Sequence, residues 1–264
     1  MKLRVGRMMS KEFYWADHYD YEDVHRGPFT TSYAWIESIR QLVKIDCSNL
    51  DAGGEPIYAN DARKIIKRLA NKLKVLFHVS GPTESSVVTN CDLSTRNILV
   101  KDNELAGVVG WENCVALPRW AACEVPEFLQ GRTRHEEPDE KDYDERDHEE
   151  YDSHVMEWIR TKARGVFLGE MAGLAPEWIA TYQHGMTILR KDFMRAARMC
   201  HDREKQGAIN SWLDDFETFQ HNRYEQHPQG RDTSLEELGY TIRSLRDHLY
   251  DPDNLSTGVG PQLT

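Results

Sequence analysis

The chain has 264 residues, 39% hydrophobic and 29% charged, with a mean hydropathy of −0.68, enough apolar content for one large domain or two small ones. Its formal net charge of −11 argues against a phosphate-backbone partner such as DNA or RNA, and no run approaches the roughly 18 apolar residues a membrane span requires. The N-terminus is basic but lacks the apolar core of a secretory signal, and five scattered cysteines without a CxxC pair argue against a disulfide framework or zinc site, so the expected compartment is the reducing cytosol.

Residues 1–31 read as a linker, rich in aromatics and acids (Phe13, Tyr14, Trp15, Tyr19, Tyr21) and closed by Arg26-Gly27-Pro28-Phe29, where Gly-Pro breaks regular structure. From Ser32 the positions Trp35, Ile36, Ile39, Leu42 and Val43 recur at helical spacing. A turn is expected over Asp51 to Pro56, after which Asn60 or Asp61 caps a second helix with Ala62, Ile65, Ile66, Leu69, Leu73, Leu76 and Phe77 on one stripe. Past Gly81-Pro82 the period changes. Val87-Val88 is a strand candidate, and the runs Asn97–Val100 and Leu105–Val109, joined by Lys101-Asp102-Asn103-Glu104, read as a β-hairpin.

Residues 134–153 form an acidic loop. From His135 to Asp152 there are eleven Asp or Glu residues against Lys141 and Arg146, a run that charge repulsion keeps extended and solvated; its functional reading is a lip that attracts a cationic substrate. His148 and His154 are expected to face solvent there. Helical stripes follow at Val155–Phe167, at Ile179, Tyr182, Met186, Leu189, Phe193 and Ala197, and at Trp212–Phe219. Residues 221–264 read as a C-terminal helix and a disordered Gly-, Pro- and Ser-rich tail. The resulting fold class is α+β and mostly α-helical, with one small hairpin at its centre.

That hairpin carries the chemistry. Asp92-Leu93-Ser94-Thr95-Arg96-Asn97 followed by Ile98-Leu99-Val100 has the D-x-x-x-x-N spacing of a kinase-type catalytic loop, in which the Asp accepts the substrate hydroxyl proton and the Asn holds magnesium. The next strand should deliver a second metal-binding Asp, but that position, ahead of Trp111-Glu112, is Gly110. No glycine-rich phosphate loop or strand lysine precedes residue 80, so the β-rich N-lobe is absent from the reading. Each residue also has a plainer role: Asp92 as a turn former, Asn97 as a cap between loop and strand, and Cys91 and Cys114 as buried inert thiols. Cys200-His201 is a poor metal pair, since neighbours on a helix point about 100° apart. Trp111, Trp120, Trp158, Trp178 and Trp212 read as packing residues.

The blocks Phe13-Tyr14-Trp15, Arg26–Phe29, Asp92–Val100, Val108–Glu112, Ala116-Leu117-Pro118 and Phe128–Thr133 together resemble the aminoglycoside phosphotransferase-like family, especially its fungal members, over roughly residues 10 to 220. The resemblance implies a protein-kinase-like C-terminal lobe over 32–220, with Asp92 as catalytic base, Asn97 as magnesium ligand, Glu112 as a neighbouring acid able to reach the metal, and ATP and magnesium as cofactors. Two departures stand out. The family places His two residues before the catalytic Asp, where this chain has Asn90, and the metal-binding Asp of its Asp-Trp-Glu strand is Gly110. Metal stabilisation of the transferring phosphoryl group is worth several kcal/mol, and losing about 4 kcal/mol slows the chemistry roughly a thousandfold. The expectation is therefore a truncated, catalytically impaired member that retains a site for a small-molecule ligand. Gly110→Asp would then restore the missing ligand. The alternatives are an active phosphotransferase on a small hydroxylated, cationic substrate, with a partner chain supplying the N-lobe, and a helical interaction module without ligand.

Overall fold

The computed structural model describes residues 6–14, 16–52, 56–79, 84–144, 147–226, 233–242, 244–245 and 249. The fold is α+β and mostly helical. In chain order it contains α1 (Lys11–Tyr14), α2 (Ser32–Ala52), α3 (Pro56–Leu76), β1 (Ser86–Asn90), β2 (Ile98–Lys101), β3 (Glu104–Val108), β4 (Cys114–Pro118), α4 (Arg119–Ala122), α5 (His148–Leu174), α6 (Pro176–Gln183), α7 (Gly185–Met199), α8 (Arg203–Gln226) and α9 (Thr233–Thr241), with short 3-10 turns between several of them. Two two-stranded sheets form, β1 with β4 and β2 with β3. Among the described residues no helix is long and apolar enough to cross a membrane. The tail from Asp251 lies outside the described residues.

The chain divides into two compact units: residues 1–89, 115–122 and 183–264 make the larger, and residues 90–114 and 123–182 the smaller. The larger is built on the apolar stripes of α2 and α3. Ile36, Ile39, Leu42, Ile65, Leu69 and Leu76 are all buried, and Leu189, Phe193, Trp212, Leu213 and Phe216 of α7 and α8 close over them. A buried side chain of this size contributes about 1.5–3 kcal/mol by leaving water, so this cluster is the main source of the unit's stability. The segment before Ser32 belongs to it as well: Phe13 and Val24 are buried in the core, and Arg26 donates hydrogen bonds to the carbonyls of Phe13, His18 and Tyr21. At the N-terminus of α2, Glu84 accepts from both the backbone N–H of Ser32 at 2.8 Å and its hydroxyl, which satisfies donors a helix start leaves open.

Four local expectations are corrected. The second helix starts at Pro56, so Asn60 and Asp61 lie inside it rather than capping it; proline suits a first helical turn because its missing N–H has no acceptor there. The apparent single stripe Ile179–Ala197 is two helices, α6 and α7, separated at His184, whose side chain accepts the backbone N–H of Met186 as an N-cap. The acidic stretch is loop only in its first part, because from His148 it forms the opening turns of α5. His154 is not solvent-exposed: its Nδ1 lies 2.7 Å from the Tyr143 hydroxyl, and its ring packs edge-on against Tyr143.

In the smaller unit α5 is anchored by Arg164. Its guanidinium donates to the carbonyls of Leu129 (2.9 Å) and Gly131 (3.3 Å) and to Thr133 Oγ1 (3.0 Å). The loop before α5 is thereby tied to the helix by a buried cation, with a second tie from Arg134, whose Nε donates to Glu157 at 3.0 Å.

Candidate functional site

The site is assembled by the turn of the hairpin. Asp102 and Asn103 both have positive φ, 54° and 63°, the two-residue connection whose twist matches paired antiparallel strands and which Asn and Asp tolerate best. That turn sets Lys101 opposite Glu104 and Val100 opposite Leu105. A bulge at Leu99/Val100 leaves Ala106 as an extra residue on β3, after which Leu99 faces Gly107 and Ile98 faces Val108. One further bond, from Val109 N–H to Asn97 O at 2.9 Å, extends the ladder to the loop. The residue carried to the side of Asn97 is therefore Gly110.

Upstream, Asn90 at the end of β1 accepts the backbone N–H of Asp92 on its Oδ1 at 2.8 Å. This is an Asx turn, and it gives Asn90 a loop-shaping role of its own at the position where the family resemblance leads one to expect His. Asn two residues before Asp92 is the signal by which this could have been read from sequence. A 3-10 turn over Thr95–Asn97 then brings the Asn97 side chain back onto Asp92. Its Nδ2 donates to the Asp92 carbonyl at 2.7 Å and to the carboxylate Oδ2 at 3.2 Å. Both partners are acceptors, so the amide must present its NH2 to them, and its Oδ1 is the atom left to ligate a cation. Both side chains are half-buried. Two polar atoms of the same loop, Asn90 Nδ2 and Ser94 Oγ, are buried without a protein partner.

Gly110 has φ +79° and ψ 26°, a conformation that costs L-residues energy. A Cβ placed on it would lie 2.6 Å from Asn97 Nδ2 and 2.9 Å from Asn97 Cγ. Position 110 thus lies directly against Asn97, and the Asn97 amide fills the space a side chain there would need. Glu112 sits in the 3-10 turn Trp111–Asn113 and is exposed. Among the described residues no three His, Cys, Asp or Glu side chains gather as a metal-binding group. Magnesium is held by one or two carboxylates in near-ideal octahedral geometry, usually with substrate phosphates completing the set. With glycine at position 110, the position beside Asn97 offers no carboxylate, and the oxygens of this loop that could face a cation are those of Asp92 and Asn97.

The structure brings Asp92 and Asn97 together, and it places Glu112 in the exposed 3-10 turn that follows Gly110. Other side chains are placed differently from expectation. Cys91 and Cys114 are exposed rather than buried, because each lies at a strand end and neither strand is covered there. Trp111 is also exposed, its Nε1 donating to Val108 O at 3.0 Å. Trp120 and Trp212 are buried as packing residues, and Trp178 stacks on Tyr182 and meets Phe167 edge-on. Cys200 and His201 diverge: Cys200 is fully buried, which pushes its thiol up to about 12, while His201 is exposed.

Comparison with family models, with curated proteins and with solved structures finds no match for this chain.

Proposed function

We propose that this chain is a kinase-like C-terminal lobe of the aminoglycoside phosphotransferase-like kind that keeps the catalytic loop but has glycine in place of the metal-binding Asp, and that it works as a pseudoenzyme holding a small-molecule ligand. The observation that carries the reading is the Asp92–Asn97 clamp with Gly110 against it. The two residues that kinase-type loops use as base and metal ligand meet here at the mouth of a hairpin whose partner strand returns beside the Asn. With Gly110 just past the second strand of the hairpin, the developing charge on a phosphoryl group has no carboxylate-bound cation to offset it. The buried, unpartnered Asn90 Nδ2 and Ser94 Oγ support retention of a polar binding function, since such atoms ordinarily find partners.

The test is isothermal titration of magnesium-ATP into the full chain, with turnover measured on the same sample. The expected result is no magnesium-dependent ATP hydrolysis or transfer above a no-protein control. Magnesium-dependent turnover that Asp92→Asn abolishes would replace this reading with that of an active phosphotransferase.

A further inference from the structure

Helix α5 carries a stripe of exposed apolar side chains along one face. Met156 and Ile159 are each 44% exposed and Val166 is 68% exposed; with the half-buried Ala163 between them they follow the 3-4-3 spacing that aligns side chains on one helix face. The same face continues to Glu149 and Asp152 at its N-terminal end and to Glu170 at its C-terminal end, all exposed. The layout is acid, apolar, acid over some 21 residues, about 32 Å of helix at 1.5 Å per residue. The helix also lies in the unit that carries 20 acidic against 9 basic residues. Lys162, at the edge of the stripe, is drawn over the Trp158 ring.

From this we infer that the Met156–Ile159–Val166 face of α5 is a docking surface for a basic amphipathic helix of about 20 residues. Its apolar side would cover the three exposed side chains, and its lysines or arginines would meet Glu149, Asp152 and Glu170. Three regularly spaced apolar side chains suit ridges-into-grooves packing of a helix. The flanking charge selects among occupants. A second copy laid antiparallel on the same face would set Glu149 and Asp152 against Glu170, a like-charge contact, and an anionic lipid surface is repelled by the same acids.

The probe is a synthetic 20-residue helical peptide with leucines on one stripe and lysines elsewhere, and its counterpart with glutamates in place of the lysines. Each is titrated calorimetrically into the full chain at 50 and 300 mM salt. The lysine peptide is expected to bind, more weakly at the higher salt, and the glutamate peptide not to bind. The decisive variants are Ile159→Asp and Val166→Asp, each checked for fold by circular dichroism and melting. Both add negative charge, so attraction by the acidic surface alone would raise affinity for the lysine peptide, whereas docking on the apolar face predicts at least a tenfold loss. Glu149→Gln with Asp152→Asn should weaken binding severalfold and reduce the salt dependence. Unchanged or tighter binding to the two Asp variants overturns the inference. So does sedimentation showing that the wild-type chain self-associates and that Ile159→Asp makes it monomeric, which would assign the face to a second copy.

Discussion

The larger unit carries 24 acidic and 24 basic residues, while the smaller carries 20 acidic against 9 basic and so accounts for the whole net charge of −11. Burial divides the same way. Among the described residues the fully packed aromatics and aliphatics lie in the larger unit, whereas Cys123, Val125, Leu129 and Arg164 are the buried side chains of the smaller one. One unit is stabilised by a hydrophobic core and has a charge-balanced sequence. The other is organised by hydrogen bonds around a turn and a buried arginine, and leaves Leu99, Val100, Leu105 and the α5 stripe facing outward. Apolar side chains kept at the surface of so acidic a unit add little to folding, which is why function is sought there.

The sharpest way to break this contrast is to truncate one large side chain in each unit. Trp212 is 0% exposed, and Trp212→Ala is expected to cost about 3–5 kcal/mol. Val166→Ala, at a site 68% exposed, should change stability by no more than about 0.5 kcal/mol. Urea denaturation followed by circular dichroism reads both. Similar costs for the two would mean that α5 is packed in solution and that its stripe is no surface.

A second test addresses the polar anchor. Arg164→Met removes the donor to three oxygens, two of them backbone carbonyls, and leaves acceptors unsatisfied; the expected cost is about 2–4 kcal/mol. Because the bonds are local to the smaller unit, hydrogen exchange should accelerate by roughly 30-fold or more in α5 while α2 and α3 stay protected. Uniform acceleration throughout the chain would show that the two units do not unfold separately.

How much of this was legible in the sequence follows from the range of the forces involved. The hairpin was, because its turn residues and flanking apolar runs act over a few positions, and that register is enough to bring Asn97 and Gly110 together. The stripes of α2 and α3 were legible for the same reason. Arg164 was not: in Arg160–Arg164 it looks like its basic neighbours, and its role depends on carbonyls more than thirty residues away. The exposure of Cys91 and Cys114 was equally out of reach, since small apolar residues at strand ends are covered or not by tertiary neighbours. The start of α3 is hidden in the sequence because Asn60 and Asp61 carry a strong capping preference that Pro56, four residues earlier, makes unnecessary.

A third, smaller effect sharpens the account of the site. Gly110→Asp would place a carboxylate beside the loop, yet its Cβ would press on Asn97 at 2.6 Å in a left-handed backbone. The expected cost is about 1–3 kcal/mol, together with displacement of the Asn97 amide from Asp92. Thermal denaturation with and without magnesium should show a lower melting temperature that the metal only partly recovers. A variant as stable as the wild type would mean that Asn97 swings away readily and that the clamp is loose.

The smallest effect belongs to the larger unit and works through pH. Burial alone would raise the carboxyl of Glu12, but the Arg198 guanidinium, with help from the Ser10 hydroxyl, outweighs it and holds the group below its ordinary value of 4.5. A carboxyl with a depressed native pKa gives stability that is present above 4.5 and lost as pH falls through the lower, folded value, because there the native state must take up a proton it binds more weakly than the unfolded chain does. Both side chains keep some solvent contact, 25% for Glu12 and 35% for Arg198, so screening limits the pair to about 1 kcal/mol. Glu12→Gln should therefore lower stability slightly at pH 7 and make the acid limb of the stability curve shallower below pH 4.5. The gap between wild type and variant should close as pH drops. A gap that persists unchanged to pH 2.5 would show that Glu12 acts through packing and not through its charge.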